Sequence, residues 1–290
     1  MMNVDNVLQG KTCIVTGATN GIGEATALGL AQKGARVIGI GRSRTKCAET
    51  TERIKRLSGN QQVEFLIADL SVQEQVRQLA ETIHRQCTQV DVLVNNAGGY
   101  FTSRQESADD IEMTWALNHL NYFLLTNLLL DLLKAAAPAR VVNVSSDAHR
   151  NASIRFDDPE FKKGYSGFAV YGHSKLANVL FTYELARRLE GTCVTANALH
   201  PGFVASGFGM NNGSLMSVAM RLAQRFGARS PDKGAQTSIY LASAPQVENV
   251  TGQYFADERA VKSSAASYDR DAATRLWHLS EQMTHQPQMA

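Results

Sequence analysis

The chain is expected to fold as an α/β protein, a doubly wound parallel sheet of about seven strands with helices on both faces. Three observations lead there. Short apolar runs rich in β-branched residues alternate with longer amphipathic segments. A glycine-rich turn joins the first such run to the first helical pattern. No Pro- or Ser-rich linker and no internal repeat interrupts the alternation, so residues 1–290 read as one domain despite the length.

In order, Lys11 to Thr16 is the first strand, and Glu24 to Lys33 a helix that stops at Gly34. Ala35 to Ile40 is a strand and Thr45 to Leu57 a helix; Val63 to Ile67 is a strand running into Asp69, with Val72 to Cys87 helical behind it. Val90 to Val94 ends in Asn95-Asn96-Ala97-Gly98. Ser107 to Ala136 is a long helical region, too long to run without a bend or a break. Ala139 to Ser145 is a strand, Phe168 to Leu189 a helix and Cys193 to Leu199 a strand. Beyond Pro201 the pattern loosens. Ser206 to Gly213 is Gly- and Asn-rich, Ser214 to Phe226 and Pro231 to Ala242 are helical, Gln253 to Ala256 is a last strand and Asp269 to Gln282 a final helix.

Hydrophobic content of 44% and charged content of 19% describe a globular protein with ample material for a core. A net charge of +2 argues against a nucleic-acid partner, and the basic cluster Arg42, Arg44, Lys46 is too short to track a duplex. The cysteines, Cys13, Cys47, Cys87 and Cys193, form no C-x-x-C, and with the dispersed histidines give no zinc spacing. No metal is expected. Met1 to Gln9 carries no signal-peptide pattern, and the apolar stretch Tyr122 to Leu133 is interrupted by Asn127 and Asp131 and too short to span a bilayer. A cytoplasmic protein is expected, without a transmembrane segment.

The turn Gly17-Ala18-Thr19-Asn20-Gly21-Ile22-Gly23 follows a strand and opens a helix. That is the Rossmann-type context in which glycines let backbone approach a pyrophosphate while helix N–H groups face its charge. An NAD site would place an acid at the end of the second strand; here the end reads Ile40-Gly41-Arg42-Ser43-Arg44. Arg42 suits a 2′-phosphate and Ser43 can donate a hydrogen bond to it, so NADP(H) is preferred over NAD(H). Val141 to Ser146 is a strand ending in hydroxyls. Tyr171 and Lys175 lie one turn apart on one helical face. A phenol beside an ammonium is expected to have its pKa lowered towards the working range of an acid–base catalyst.

Thr16 to Gly23, Asn95 to Gly98, Asn118, Ser146, Tyr171-x-x-x-Lys175 and Pro201-Gly202 resemble, in order and spacing and over essentially the whole chain, the short-chain dehydrogenase/reductase family. The resemblance implies an oxidoreductase that interconverts a carbonyl and an alcohol by hydride transfer. It implies Tyr171 as general acid/base, Lys175 as the residue that lowers the tyrosine pKa and holds the nicotinamide ribose, Ser146 as the hydroxyl orienting the substrate oxygen, and Asn118 as the residue that kinks the long helix and anchors a water. It further implies that Asp69 and Leu70 reach the adenine, that Asn95, Ala97 and Gly98 line the adenosine side, and that Pro201, Gly202 and Val204 flank the nicotinamide. Ser206 stands where the family often has threonine. A homodimer or homotetramer is implied as well.

The segment between Ser146 and Tyr171 is longer than in many members. Its Arg155-Phe156-Asp157-Asp158 and Lys163-Gly164-Tyr165, with His173 to Asn178 after them, resemble the retinol dehydrogenase and protochlorophyllide reductase branch. A medium or large lipophilic aldehyde or ketone is the substrate this implies. Met210, Leu215, Met216, Met220 and Phe226 suggest a substrate lid at about 205–230, with a C-terminal extension at about 257–290. Two alternatives stand beside this reading, a catalytically silent NADP(H)-sensing regulatory protein and a reductase of small polar carbonyls. His149 and His173 are assigned packing or surface roles rather than catalysis.

Overall fold

The computed structural model describes residues 6–204 and 229–286. Its sheet contains β1 (Thr12–Thr16), β2 (Arg36–Gly41), β3 (Val63–Ile67), β4 (Val92–Asn95), β5 (Ala139–Val144), β6 (Val194–Leu199), β7 (Tyr254–Ala256) and β8 (Arg259–Ala260). The order is β3-β2-β1-β4-β5-β6-β7-β8, parallel throughout except for β8. The chain steps outward from β1 to β3, then returns to place β4 on the other side of β1. That reversal opens a crevice at the carboxyl ends of β1 and β4, where α/β sheets of this kind bind ligands. The eighth strand exceeds the expected number. It is made by a two-residue hairpin whose Asp257 and Glu258 both have positive φ, 48° and 61°. Asp257 suits a positive φ but Glu258 does not, so the pair lacks the Asn-Gly or Asp-Gly signature of such a turn.

Helices α1 (Gly21–Gln32), α2 (Arg44–Ser58) and α3 (Gln73–Gln86) link the first four strands, and α7 (Gly167–Arg188), α8 (Pro231–Ser243) and α9 (Arg270–Met283) follow β5 and β6. Between β4 and β5 come α4 (Met113–Trp115), α5 (Asn121–Leu128) and α6 (Leu130–Ala136). Successive residues of a strand point to opposite faces, and both faces of this sheet are covered. In β1, Cys13 and Val15 pack with Ala27, Leu30, Ile54 and Leu241, whereas Ile14 joins Val76, Leu79, Phe123 and Phe181 on the other side. Both layers are fully buried, which is why the strands read as continuous apolar runs.

The long helical region starts later than the sequence suggested. The Glu112 carboxylate accepts from Trp115 N at 2.7 Å and caps α4, while Ser107 to Ile111 turn back on themselves through Ser107 N to Ile111 O at 2.8 Å. The expected bend is a π-helical turn over Ala116–Leu120, and a break follows at Leu129. Helix α7 is buried without interruption from Gly172 to Ala186. Burial on every side of a helix requires packing elements on every side. Trp277 of α9 supplies the second cover, stacking on Phe181 at 5.8 Å between centroids and meeting Phe123 edge-on at 4.9 Å. Of the lid expected at about 205–230, residues 205–228, Ser206 among them, lie outside the described residues.

Candidate active site

The glycine turn between β1 and α1 is built by backbone constraint. Gly17 and Gly21 have φ of 65° and 55°, and a Cβ on Gly23 would lie 2.2 Å from Gly17 O and 2.4 Å from Asn96 Nδ2. Asn20, the N-cap of α1, makes no side-chain capping bond, so it occupies none of the N–H groups that open toward the crevice. The Thr19 methyl packs on the end of β2, within 2.4 Å of where a Gly41 Cβ would stand, and Ile22 faces Gly234 of α8. At the end of β2, Arg42 is exposed. Ser43 caps α2, its Oγ accepting from Lys46 N at 3.4 Å, which leaves its O–H free to donate.

Asp69, half-buried past the end of β3, accepts through Oδ1 from Ser71 N at 3.0 Å and Ser71 Oγ at 2.7 Å, and Leu70 beside it is buried. At the end of β4 two consecutive asparagines take different partners. Asn95 is fully buried, and its Nδ2 donates to Thr126 Oγ1 and Asn143 Oδ1, both at 2.9 Å. Its side chain ties β4 to β5 and α5. Its neighbour Asn96 faces β1. Asn96 Nδ2 donates to Thr16 O at 2.8 Å, and the Asn96 and Ala97 amides donate to Thr16 Oγ1 at 2.8 and 2.9 Å. These bonds staple the exits of β1 and β4 together. Consecutive asparagines alone could not say which faced inward, because both faces of the strand are covered.

The four residues expected to act in catalysis come from elements far apart in the chain. Asn118 stands in the π turn, Ser146 just past β5, and Tyr171 and Lys175 on α7. Asn118 Nδ2 donates to Gly99 O and Ser174 Oγ, each at 3.0 Å, and its Oδ1 accepts from Gly99 N at 2.8 Å. Asn178 Nδ2 donates to the Asn118 carbonyl at 2.8 Å, and His119 reaches Asn178 and, through Nε2, Ser280 Oγ of α9 at 2.9 Å. Of the two serines ending β5, Ser145 turns inward and donates to Lys175 O at 2.8 Å. Ser146 faces the site: its Oγ accepts from Ala148 N at 3.3 Å and is hydrogen-bonded with Tyr171. The Tyr171 ring meets Tyr100 edge-on at 5.9 Å. Gly98 keeps the space beside Asn118 Oδ1 and Lys175 Nζ open; a Cβ there would lie 3.2 and 3.5 Å from them.

The electrostatics differ from the simple phenol–ammonium picture. Burial pushes Tyr171 up to about 12, and the hydrogen bond with Ser146 opposes that shift. Burial pushes Lys175 down to about 7. Lys175 Nζ donates to Val144 O at 3.0 Å and lies 5.8 Å from the Tyr171 ring centroid. In the protein by itself burial governs both groups, raising the phenol and lowering the ammonium.

On the far side, Gly202 has φ of 80° and donates its N–H to His200 Nδ1 at 3.2 Å. Pro201 precedes it, and Val204 is buried against Gly234 and bridges to Arg229, which pairs with Asp257. His173 lies against Trp115 and Phe161, and burial pushes it down to about 4. Among the described residues there is no cluster of His, Cys, Asp or Glu suited to a metal, and no helix long and apolar enough to cross a membrane.

The short chain dehydrogenase family model matches residues 11–215. Human retinol dehydrogenase 14 is 40% identical, over 96% of this chain and 87% of its own length, and human retinol dehydrogenase 12 is 43% identical over 94% and 86%. Among solved structures, an uncharacterized protein from Mycobacterium paratuberculosis superposes with a TM-score of 0.77 at 33% identity, covering 98% of this chain and 96% of its own. The NADP active-site complex of RhlG from Pseudomonas aeruginosa does so with a TM-score of 0.69 at 30% identity, covering 88% and 97%. With the doubly wound sheet, the glycine turn and the Asn118, Ser146, Tyr171 and Lys175 constellation in place, this chain belongs to the short-chain dehydrogenase/reductase family, in its retinol dehydrogenase-like branch of oxidoreductases acting on carbonyls and alcohols.

Proposed function

We propose that the protein is an NADP(H)-dependent oxidoreductase interconverting a lipophilic aldehyde or ketone and its alcohol, with Tyr171 as general acid/base. The observation that carries this reading is the convergence of Asn118, Ser146, Tyr171 and Lys175 beside the crevice at the carboxyl ends of β1 and β4. The residues present fit a nicotinamide dinucleotide: Asn20 leaves the N-terminus of α1 uncapped by its side chain, Arg42 at the end of β2 is exposed and free to meet a phosphate, and Gly98 keeps room beside Lys175. RhlG, in the structure named above, is an NADP complex.

Such a cofactor, when bound, exchanges a hydride with the substrate carbon. Tyr171 gives its phenolic proton to the carbonyl oxygen in reduction and takes one from the alcohol in oxidation. Ser146 already hydrogen-bonds with the phenol, so an oxygen placed beside both is held while charge develops on it. Lys175, at about 7, exchanges protons readily near neutrality and resupplies the site. Phe168, three residues before Tyr171, and Phe203, next to Gly202, are exposed aromatics that favour an apolar substrate.

A panel of long aliphatic aldehydes and retinoid carbonyls against small sugars, with NADPH and NADH, tests the assignment. Tyr171→Phe is expected to abolish turnover while NADPH still binds in a fluorescence titration; a fully active variant overturns the mechanism. Arg42→Ala is expected to weaken NADPH more than NADH, and equal weakening removes the cofactor assignment.

A further inference from the structure

His149 follows Ser146 by three residues in the short 3₁₀ turn Asp147–Asn151, and it is fully buried. Both of its side-chain nitrogens have backbone partners of fixed polarity. Nδ1 lies 2.7 Å from the Ser146 carbonyl, which only accepts, and Nε2 lies 3.0 Å from the Ser264 amide, which only donates. The ring must then be neutral, with its proton on Nδ1. A second proton on Nε2 would meet the Ser264 N–H head-on. Burial pushes the His149 pKa down in the same sense, against the opposing hydrogen bond to Ser146. The titratable groups around it are Asp147, Arg150, His200 and Tyr254, whose ring packs on it at 4.8 Å.

The Ser146 carbonyl receives the His149 amide as well, at 3.1 Å, so one residue holds that peptide plane twice. Holding that plane fixes the backbone of Ser146, extended at φ −155° and ψ 154°, from which its side chain projects. Ser264 lies beyond residue 215, where the match to the family model ends. Its neighbour Ser263 is buried and fixed by Tyr183 of α7 at 2.8 Å and by Ser267 at 2.6 Å.

We infer that His149 is a positioning residue, holding the Ser146 hydroxyl in its working direction and tying it through Ser264 to the C-terminal segment. The inference rests on the catalytic reading of Ser146 proposed above. His149 touches neither substrate nor cofactor; it acts through Ser146. Misplacing a catalytic group by about 1 Å costs up to roughly a hundredfold in rate.

The two ring bonds can be separated. In His149→Asn the amide nitrogen stands near Nδ1 and keeps the donor to Ser146. In His149→Gln the amide oxygen reaches the place of Nε2, keeping the acceptor for Ser264 and losing the bond to Ser146. Expected for His149→Gln is a kcat lowered about tenfold with NADPH affinity by fluorescence unchanged, while His149→Asn recovers most of the rate. Ser264→Pro keeps the backbone φ of −69° but replaces the amide donor with a ring carbon that pushes His149 Nε2 away, and so breaks the brace from its other end if the histidine variants do not fold. It too is expected to lower kcat and leave NADPH affinity alone. Each variant is then combined with Ser146→Ala. If His149 acts through Ser146, neither His149→Gln nor Ser264→Pro costs anything further in that background. Wild-type kcat in both single variants, or losses that add fully to that of Ser146→Ala, overturns the inference. Full activity of Ser146→Ala itself would instead sink the catalytic reading on which it rests.

Discussion

Tyr171 and Lys175 were visible from their spacing alone, because one turn of helix places them on one face whatever surrounds it. Their ionisation was not visible. The spacing suggested an acidified phenol, whereas burial raises the phenol and lowers the lysine. Desolvation depends on what covers a group, and the covering residues come from Val144, Tyr122 and the segment after β4. For the same reason the sequence could not name the partners of Asn96 and His149, which lie at Thr16 and Ser264. Gly98 offers a test at this scale. Gly98→Ala would put a Cβ 3.2 Å from Asn118 Oδ1 and 3.5 Å from Lys175 Nζ. Expected is a marked fall in kcat with a thermal midpoint close to wild type, measured side by side; unchanged kcat would mean that Asn118 and Lys175 do not need their present positions.

At the level of elements, the helices from β4 to β5 and α7 show what pattern reading captures and where it stops. The length of the run from Ser107 to Ala136 demanded an interruption, and the π turn with Asn118 at its centre supplies one. Its start was misplaced because the Glu112 cap became apparent only with Trp115 N against the carboxylate. The unbroken burial of α7 needs a second covering element, and α9 is that element, with Trp277 and Leu276 packed against α7 or its neighbours. Trp277 is 1% exposed. Trp277→Ala should cost about 3–5 kcal/mol of stability, read as a lower urea midpoint at unchanged slope. A loss below about 1 kcal/mol would mean that α9 is a dispensable cover.

For the whole molecule, the buried ionisable groups predict a pH profile. Burial holds His119 at about 3 and His173 at about 4, below the ordinary value of 6.5. Between those values and 6.5 the unfolded chain binds more protons than the folded one, so stability is lost as pH falls through that window. Lys175, lowered from 10.5 to about 7, acts in the same direction: stability rises with pH between 7 and 10.5. The urea midpoint of the cofactor-free protein should fall steadily from pH 7 to pH 4, and the fall should be shallower in His119→Gln; parallel profiles would show that His119 does not carry its share. By itself the sequence determined the doubly wound class, the glycine turn, the Tyr171–Lys175 pair and the family, because these rest on local periodicity and short fixed spacings. Only the tertiary structure decided which asparagine of the pair at β4 faces inward, which serine faces Tyr171, how far each pKa moves, and that a histidine beside β5 meets the C-terminal segment. Those outcomes depend on burial and on partners distant in the chain, and both exist only once the layers have packed.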